Sequence, residues 1–387
     1  MGTRRLMYTV LIVLLIVLLL LLVLNRVRKN RYRNTPTPPT SQETTTTPPI
    51  TPSDSSLVKR ISVLVDRVGG RVDWSHKNDL ITFSKKGLDG YADIYTMNED
   101  ESNQVCLTCG KSEIPQLSND QPEWHPSGEY IVFESQDPNL GALPKAFTEG
   151  GAGLNNNLWI VTRDGNKFYQ LTHIKTGEAS LHPHFSHDGK KLFWAARVVP
   201  GLGKGYWALK IADFVVASSG PKLTNEKEYR PIKDFGFYES HSFSLDDKTI
   251  YFSASKSATS FDLDIYKMAL DSGIVTNLTN TPGEWDEHSI LSPSGKKLVW
   301  ISSQGYDFKP AANWGATLKT DLWVMGTDGS NKQKVTHFNE PGFSEYNGSR
   351  VILADSAWNT DGTKLVVASF VEGIGTRIWL IEFKEPQ

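Results

Sequence analysis

The stretch GEWDEHSILSPSGKKLVWIS sets Asp286, Glu287 and His288 in a row directly ahead of a Ser-Pro-Ser-Gly turn. Two carboxylates and an imidazole offer oxygen and nitrogen donors to a divalent cation, or the two halves of an acid/base pair. Glu239 and His241 in FYESHSFS and His182 and His184 in LHPHFS have the same character. The nearest approach to a compact ligand pair is the HPH of His182–His184. Cys106 and Cys109 have the C-x-x-C spacing of redox and zinc motifs, but no second pair completes a four-ligand set. They fall on an outer strand, where residues three apart point to opposite faces, so a packing thiol pair or a disulfide at the strand end accounts for them.

What positions these residues is a repeat. The segments RVDWSHKNDLITFS, QPEWHPSGEYIVFES, HPHFSHDGKKLFWAA, HSFSLDDKTIYFSAS, SILSPSGKKLVWIS and DSAWNTDGTKLVVAS share an apolar residue, a polar turn and an alternating strand. A second strand follows each (DIYTMN, LWIVTR, WALKIA, DIYKMA, DLWVMG, RIWLIE), and several add a third. Short strands at this recurring spacing make the blades of a propeller. The aromatic content of 11% suits such a sheet-rich fold. The last blade lacks an outer strand, and VKRISVLVD ahead of the first repeat is the segment that can supply it and close the ring.

FSHDGKKLFW, DLWVMGTDGSNKQKVTH and WHPSGEYIVFES resemble the repeats of TolB-like, PD40-type propellers, over about 330 residues. The resemblance implies a six-bladed β-propeller. Such propellers include periplasmic protein-binding modules and the propeller domains of prolyl-oligopeptidase-type peptidases. Some His-lined propellers of related appearance are metal-dependent sugar lyases. No G-x-S-x-G nucleophile elbow occurs, and no residues remain for an α/β-hydrolase domain, which argues against a peptidase.

Aligning the repeats on the turn separates core from special positions. One residue before the turn stand Trp74, Trp124, Phe185, Phe243, Leu291 and Trp358, all apolar, hence blade-to-blade core. Four before it stand Arg71, Gln121, His182, Ser240, His288 and Asp355, all polar, each at the start of a strand lining the channel. Strand ends are often polar merely to bond the next blade. Two His, an Arg and an Asp in one ring exceed that requirement. The ligand-binding residues expected at the channel mouth are therefore Arg71, Gln121, His182, His184, Glu239, His241, Asp286, Glu287, His288 and Asp355. His182, Glu287 and His288 are the metal ligands expected if a divalent transition metal is the cofactor. The longest insertions, in blade two, in blade five and between blades five and six, fall on the face where the inner strands begin, and long loops on a rigid scaffold are where binding concentrates.

The N-terminus reads differently. Residues 6–24 carry no charge and would span roughly 28 Å as a helix. A basic flank follows, then TPTPPTSQETTTTPPITP, which cannot bury a core. The expected organisation is a tail, transmembrane helix and basic flank over 1–33, a disordered Thr/Pro linker over 34–57, and the propeller over 58–387. The expected localisation is single-pass membrane. Basic flanks and the Thr/Pro tract conflict over orientation, with the extracytoplasmic side favoured for the propeller. A net charge of −2 gives no reason to expect nucleic acid. The expected function is a membrane-anchored module binding a protein, peptide or glycan at its loop-rich face, with catalysis less favoured. The alternative is a metal-dependent lyase or hydrolase at the His/Glu cluster.

Overall fold

A computed structural model describes residues 57–387, apart from 68–69, 142, 149–150, 199–206, 233–235, 256–260 and 311–313. Six four-stranded antiparallel sheets follow one another around a ring. The inner strands are Val72–Trp74, Asn119–Trp124, Ala179–Phe185, Tyr238–Phe243, Asp286–Leu291 and Val351–Trp358, which number the blades one to six. Each hairpins through the polar turn into a second strand, as the repeat requires.

Ring closure is as the pattern implies. Val58–Asp66 pairs antiparallel with Gly375–Phe383, placing the first strand of the chain on the outside of blade six. Both partners would otherwise be open sheet edges. The apolar ring one residue before the turn (Trp74, Trp124, Phe185, Phe243, Leu291 and Trp358) is buried. Phe243 packs against Phe193 of the preceding blade at 5.7 Å between ring centroids. Trp358 lies 5.0 Å from Phe383.

The inner strands are not regular. Register shifts fall between Asp120 and Glu123, Leu181 and His184, Ser240 and Ser242, Glu287 and Ile290, and Leu353 and Ser356. Each is a bulge at the same place in the repeat. A bulge leaves a residue out of the ladder and re-aims its side chain. At this place Gln121, His182 and His288 have φ of 58°, 48° and 52°. For a side chain bearing a Cβ, that left-handed conformation costs about 1–3 kcal/mol and concentrates at functional sites.

The N-terminal expectation is corrected. Among the described residues no helix is long and apolar enough to cross a membrane. The α-helices described, Lys145–Thr148 and Trp314–Thr317, have four residues each, roughly 6 Å against a core of about 30 Å. The transmembrane helix over residues 6–24, and all of the Thr/Pro linker but its last residue, lie outside the described residues. The fold is therefore stated as all-β, a six-bladed propeller of four-stranded antiparallel blades. The transmembrane helix, the membrane as a partner through it and the single-pass localisation are withdrawn.

Phe243 is fully buried between blades. Phe243→Ala is expected to lower the unfolding free energy by roughly 3–5 kcal/mol, read from urea midpoints. A loss below about 1 kcal/mol would mean that the inter-blade ring does not carry the packing.

Candidate metal centre in the channel

The bulges of blades three and five turn His182 and His288 toward each other, with ring centroids 5.5 Å apart. Glu239, one position earlier in blade four, closes on both. Its Oε1 lies 3.2 Å from His182 Nε2 and 3.2 Å from His288 Nδ1. Asp355 of blade six approaches from the far side, its Oδ1 3.4 Å from His182 Nδ1 and 3.2 Å from His288 Nδ1. Ligand atoms from His182, Glu239 and His288 all lie within 4.8 Å of one another. Yet His182 Nδ1, Glu239 Oε1 and His288 Nδ1 are buried and make no hydrogen bond. Buried polar atoms are ordinarily satisfied. Ligand atoms brought this close, with Glu239 Oε1 facing both His182 Nε2 and His288 Nδ1, are the arrangement a cation would complete, and imidazole with carboxylate suits a divalent transition ion. A buried His/His/Glu cluster of metal-ligating type is thus present.

The surroundings hold these side chains in place. The backbone N–H of His182 donates to Glu134 Oε1 at 3.0 Å, fixing the strained residue from blade two. The Trp285 indole N–H donates to Glu287 Oε2 at 2.8 Å, and that carboxylate lies 3.4 Å from His288 Nε2. Beneath the cluster is a second layer. The Arg71 guanidinium is 2.6 Å from Glu123 Oε2 and 2.9 Å from His184 Nδ1, with Asp355 at 3.8 Å. Glu123 Oε1 accepts the Phe185 N–H at 2.8 Å, as Asp73 Oδ2 accepts the Trp124 N–H one blade earlier at 2.7 Å. Carboxylates two residues before the turn therefore tie blade one to blade two and blade two to blade three.

Burial dominates the electrostatics. It pushes the Glu239 carboxyl well above its usual range, reinforced by the Glu287 charge. At His288 burial disfavours the cation, but Asp355 and Glu287 outweigh it and the net push is upward. His182 goes down, because burial wins over Asp355. His184 and His241 go well down, first by burial, then by Arg71 and by His288 respectively. Burial would raise Asp355 too, but the two imidazoles hold it well below the carboxylate range. Asp355 is thus the standing anion of the cluster, and Glu239 is the group a bound cation would deprotonate.

Of the residues expected at the mouth, His182, Glu239, Glu287, His288 and Asp355 come together, and Arg71 joins them to His184. Glu239 is the carboxylate shared by both imidazoles, while Glu287 stands behind His288. Gln121 is buried at the equivalent place in blade two, its Oε1 without a hydrogen bond. His241 turns to Ser253 Oγ at 2.5 Å, its ring 6.2 Å from His288. Asp286 faces the blade interior, accepting from Trp300 Nε1 at 3.0 Å and from the Thr281 hydroxyl. Sequence reasoning missed Glu123 and Glu134. The signal for Glu134 was a charge inside the apolar run YIVFES, and for Glu123 its match in register to Asp73 and His184. Asp93, Cys106 and Cys109 also meet metal spacing, but the two cysteines form a disulfide, which has no thiolate to offer.

No family model matches the chain. An uncharacterized protein of Agrobacterium fabrum (strain C58) is 21% identical, covering 67% of this chain and 86% of its own. Among solved structures, a gluconolactonase of Xanthomonas campestris superposes with a TM-score of 0.51 at 14% identity, over 90% of this chain and 99% of that one. An oligogalacturonate lyase in complex with manganese gives 0.47 at 13% identity, over 86% and 95%. TolB from Acinetobacter baumannii gives 0.47 at 15%, over 81% and 66%. The likeness to the gluconolactonase shows a common propeller fold. None of these similarities supports a membrane-anchored form. The preference for a non-catalytic binding module is corrected as well. The buried His182, Glu239 and His288 cluster is of metal-ligating type, and it supports catalysis at least as well as binding alone.

Glu123 is pushed up to about 7 by burial, against Arg71, and Asp73 to about 6 by burial and the Glu123 charge. A carboxyl raised on folding from 4.5 holds its proton more tightly in the folded state. Its contribution to stability is full below that value and is lost as pH rises through about 7. Urea unfolding between those two pH values should show stability declining more steeply in the wild type than in Glu123→Gln. Parallel profiles would mean that Glu123 does not titrate in this way.

Proposed function

We propose that the protein is a metal-dependent lyase or hydrolase whose centre is the channel cluster. The observation that carries this is the convergence of the His182, Glu239 and His288 side chains, whose ligand atoms lie within 4.8 Å of one another, with Glu239 Oε1 3.2 Å from both His182 Nε2 and His288 Nδ1. His182, Glu239 and His288 would hold the ion, and a bound divalent cation supplies Lewis-acid polarisation of a substrate oxygen or an activated water. Asp355 keeps the imidazoles oriented and remains anionic. Glu287, fixed by Trp285, is the carboxylate beside the cluster able to accept a proton. The long loops around the mouth are the surface on which a substrate would be oriented. A second reading, recognition of a protein, peptide or glycan at that face without turnover, is favoured by those same insertions.

Titration calorimetry with manganese and with zinc, on the full chain stripped of metal, tests the proposal. One site per chain is expected. His288→Ala and Glu239→Ala should each weaken it at least tenfold, about 1.4 kcal/mol. Affinity should fall on acidification, because the imidazoles and Glu239 must give up protons to bind. Equal affinity in wild type and both variants would remove the cluster as a metal centre and leave the binding reading.

A further inference from the structure

We propose that Asp93, Cys106 and Cys109 of blade one form a second metal site, for a thiophilic divalent cation such as zinc, and that reduction of the Cys106–Cys109 disulfide opens it. The two sulfur atoms and an Asp93 carboxylate oxygen lie within 4.8 Å of one another. The outer strand of the blade ends at Cys106, and Cys109 lies exposed in the turn that follows. The alternation that would send residues three apart to opposite faces therefore does not separate them. The site uses none of the channel residues.

The fold does not need the bridge to make this turn. The CLTC of blade one returns as QLTH in blade two, NLTN in blade four and KVTH in blade five. In all four the apolar second residue donates its N–H to the neighbouring strand at 2.8 Å. In all four the threonine hydroxyl donates to an Asp or Asn at the start of that strand: Asp93, Asn157, Asp264 and Asp321. Leu107 is buried in the core of its blade, as Leu171, Leu278 and Val335 are in theirs. Three of the four turns stand without a disulfide, so the same contacts keep Cys106, Cys109 and Asp93 together once the bridge is open.

A dithiol opens the bridge by exchange. Its two sulfurs leave joined as a disulfide, and its two electrons and two protons pass to Cys106 and Cys109. The cation then displaces both thiol protons and is held by two thiolates and the Asp93 carboxylate. The Cys109 N–H, 3.1 Å from Cys106 Sγ, donates to that sulfur and favours its thiolate. Asp93 has the opposite effect on a free thiolate, since like charges repel. The same carboxylate is a ligand to a cation. The trio therefore suits metal binding better than thiol exchange for its own sake. Two thiolates select zinc or cadmium over manganese, calcium or magnesium, and water from the exposed side completes the coordination.

The test is a cadmium titration of the full-length protein, reduced with excess dithiothreitol and freed of it by gel filtration under argon. It is read as the ultraviolet charge-transfer absorbance of cadmium thiolate. The chain has two cysteines, so only this site gives that band, and the His/Glu cluster of the channel cannot. Reduction should free both thiols and leave the circular dichroism unchanged. The reduced wild type should then gain the band to saturation, with zinc erasing it and manganese not, while the oxidised protein gains none. Cys109→Ser should abolish it. Asp93→Asn, which gives blade one the residue that blade two carries as Asn157, keeps the acceptor for Thr108 and should weaken cadmium at least about tenfold. His288→Ala should leave the band intact, so this site and the channel centre fail or succeed separately. The proposal is overturned if the folded protein yields no free thiols, if reduction unfolds it, if the reduced protein gains no band, or if Asp93→Asn binds cadmium as tightly as the wild type.

Discussion

The structure depends on one backbone ladder, that between Val58–Asp66 and Gly375–Phe383. A propeller sheet has no lateral support of its own, because each blade buries its faces only against its neighbours. Without that pairing, blade six has an open edge and the first strand of the chain has no partner. Closing the ring makes blade six the neighbour of blade one and draws six inner strands around a single axis. His76 Nε2 against Trp358 O, 2.9 Å, is one of the contacts that exists only because the two ends meet. Asp355 reaches both Arg71 and the imidazoles for the same reason.

With the ring closed, strain can be stored at its centre. The bulges in five of the inner strands interrupt the ladder at the same place, and at three of them a side chain sits in the left-handed region. Such conformations persist where the surroundings over-determine them. Here those surroundings are polar groups from adjoining blades, as where Glu134 holds the His182 N–H. Sites on strands held in this way are more rigid than sites on loops. The donors of the channel cluster are therefore held ready before anything binds.

Charge is layered along the axis. Glu239, Asp355 and the imidazoles form one layer. Arg71, Glu123 and His184 form the next, and the aromatic ring with Asp73 a third. Arg71 compensates carboxylates on both sides of it, which is why so many ionisable groups can share a channel with little solvent. Where that compensation falls short, a group shifts toward its neutral form, as Glu239 and Glu134 do.

The sequence by itself determined the blades, the closing strand, the apolar inter-blade ring and the polar ring at the strand starts. Those follow from a period of two within strands and from a repeat, and equivalent positions in a ring point to one axis whatever the details. Only the tertiary structure decided which members of the ring meet. Glu239 and Glu287 occupy the same register in neighbouring blades, and nothing in the sequence ranks them. The bulges that bring Glu239 onto both imidazoles, and the turn of Asp286 into its own blade, arise from packing between blades. Glu123 and Glu134 act through backbone N–H groups of the following blade, partners whose distance along the chain no local pattern encodes. The C-x-x-C spacing left both a packing thiol pair and a disulfide open, and the fold joined Cys106 to Cys109. A long apolar run shows that a helix could span a bilayer, because hydropathy reports the solvent a segment would tolerate. The architecture of the protein is decided instead by which segments bury one another, and in the described residues those segments are strands.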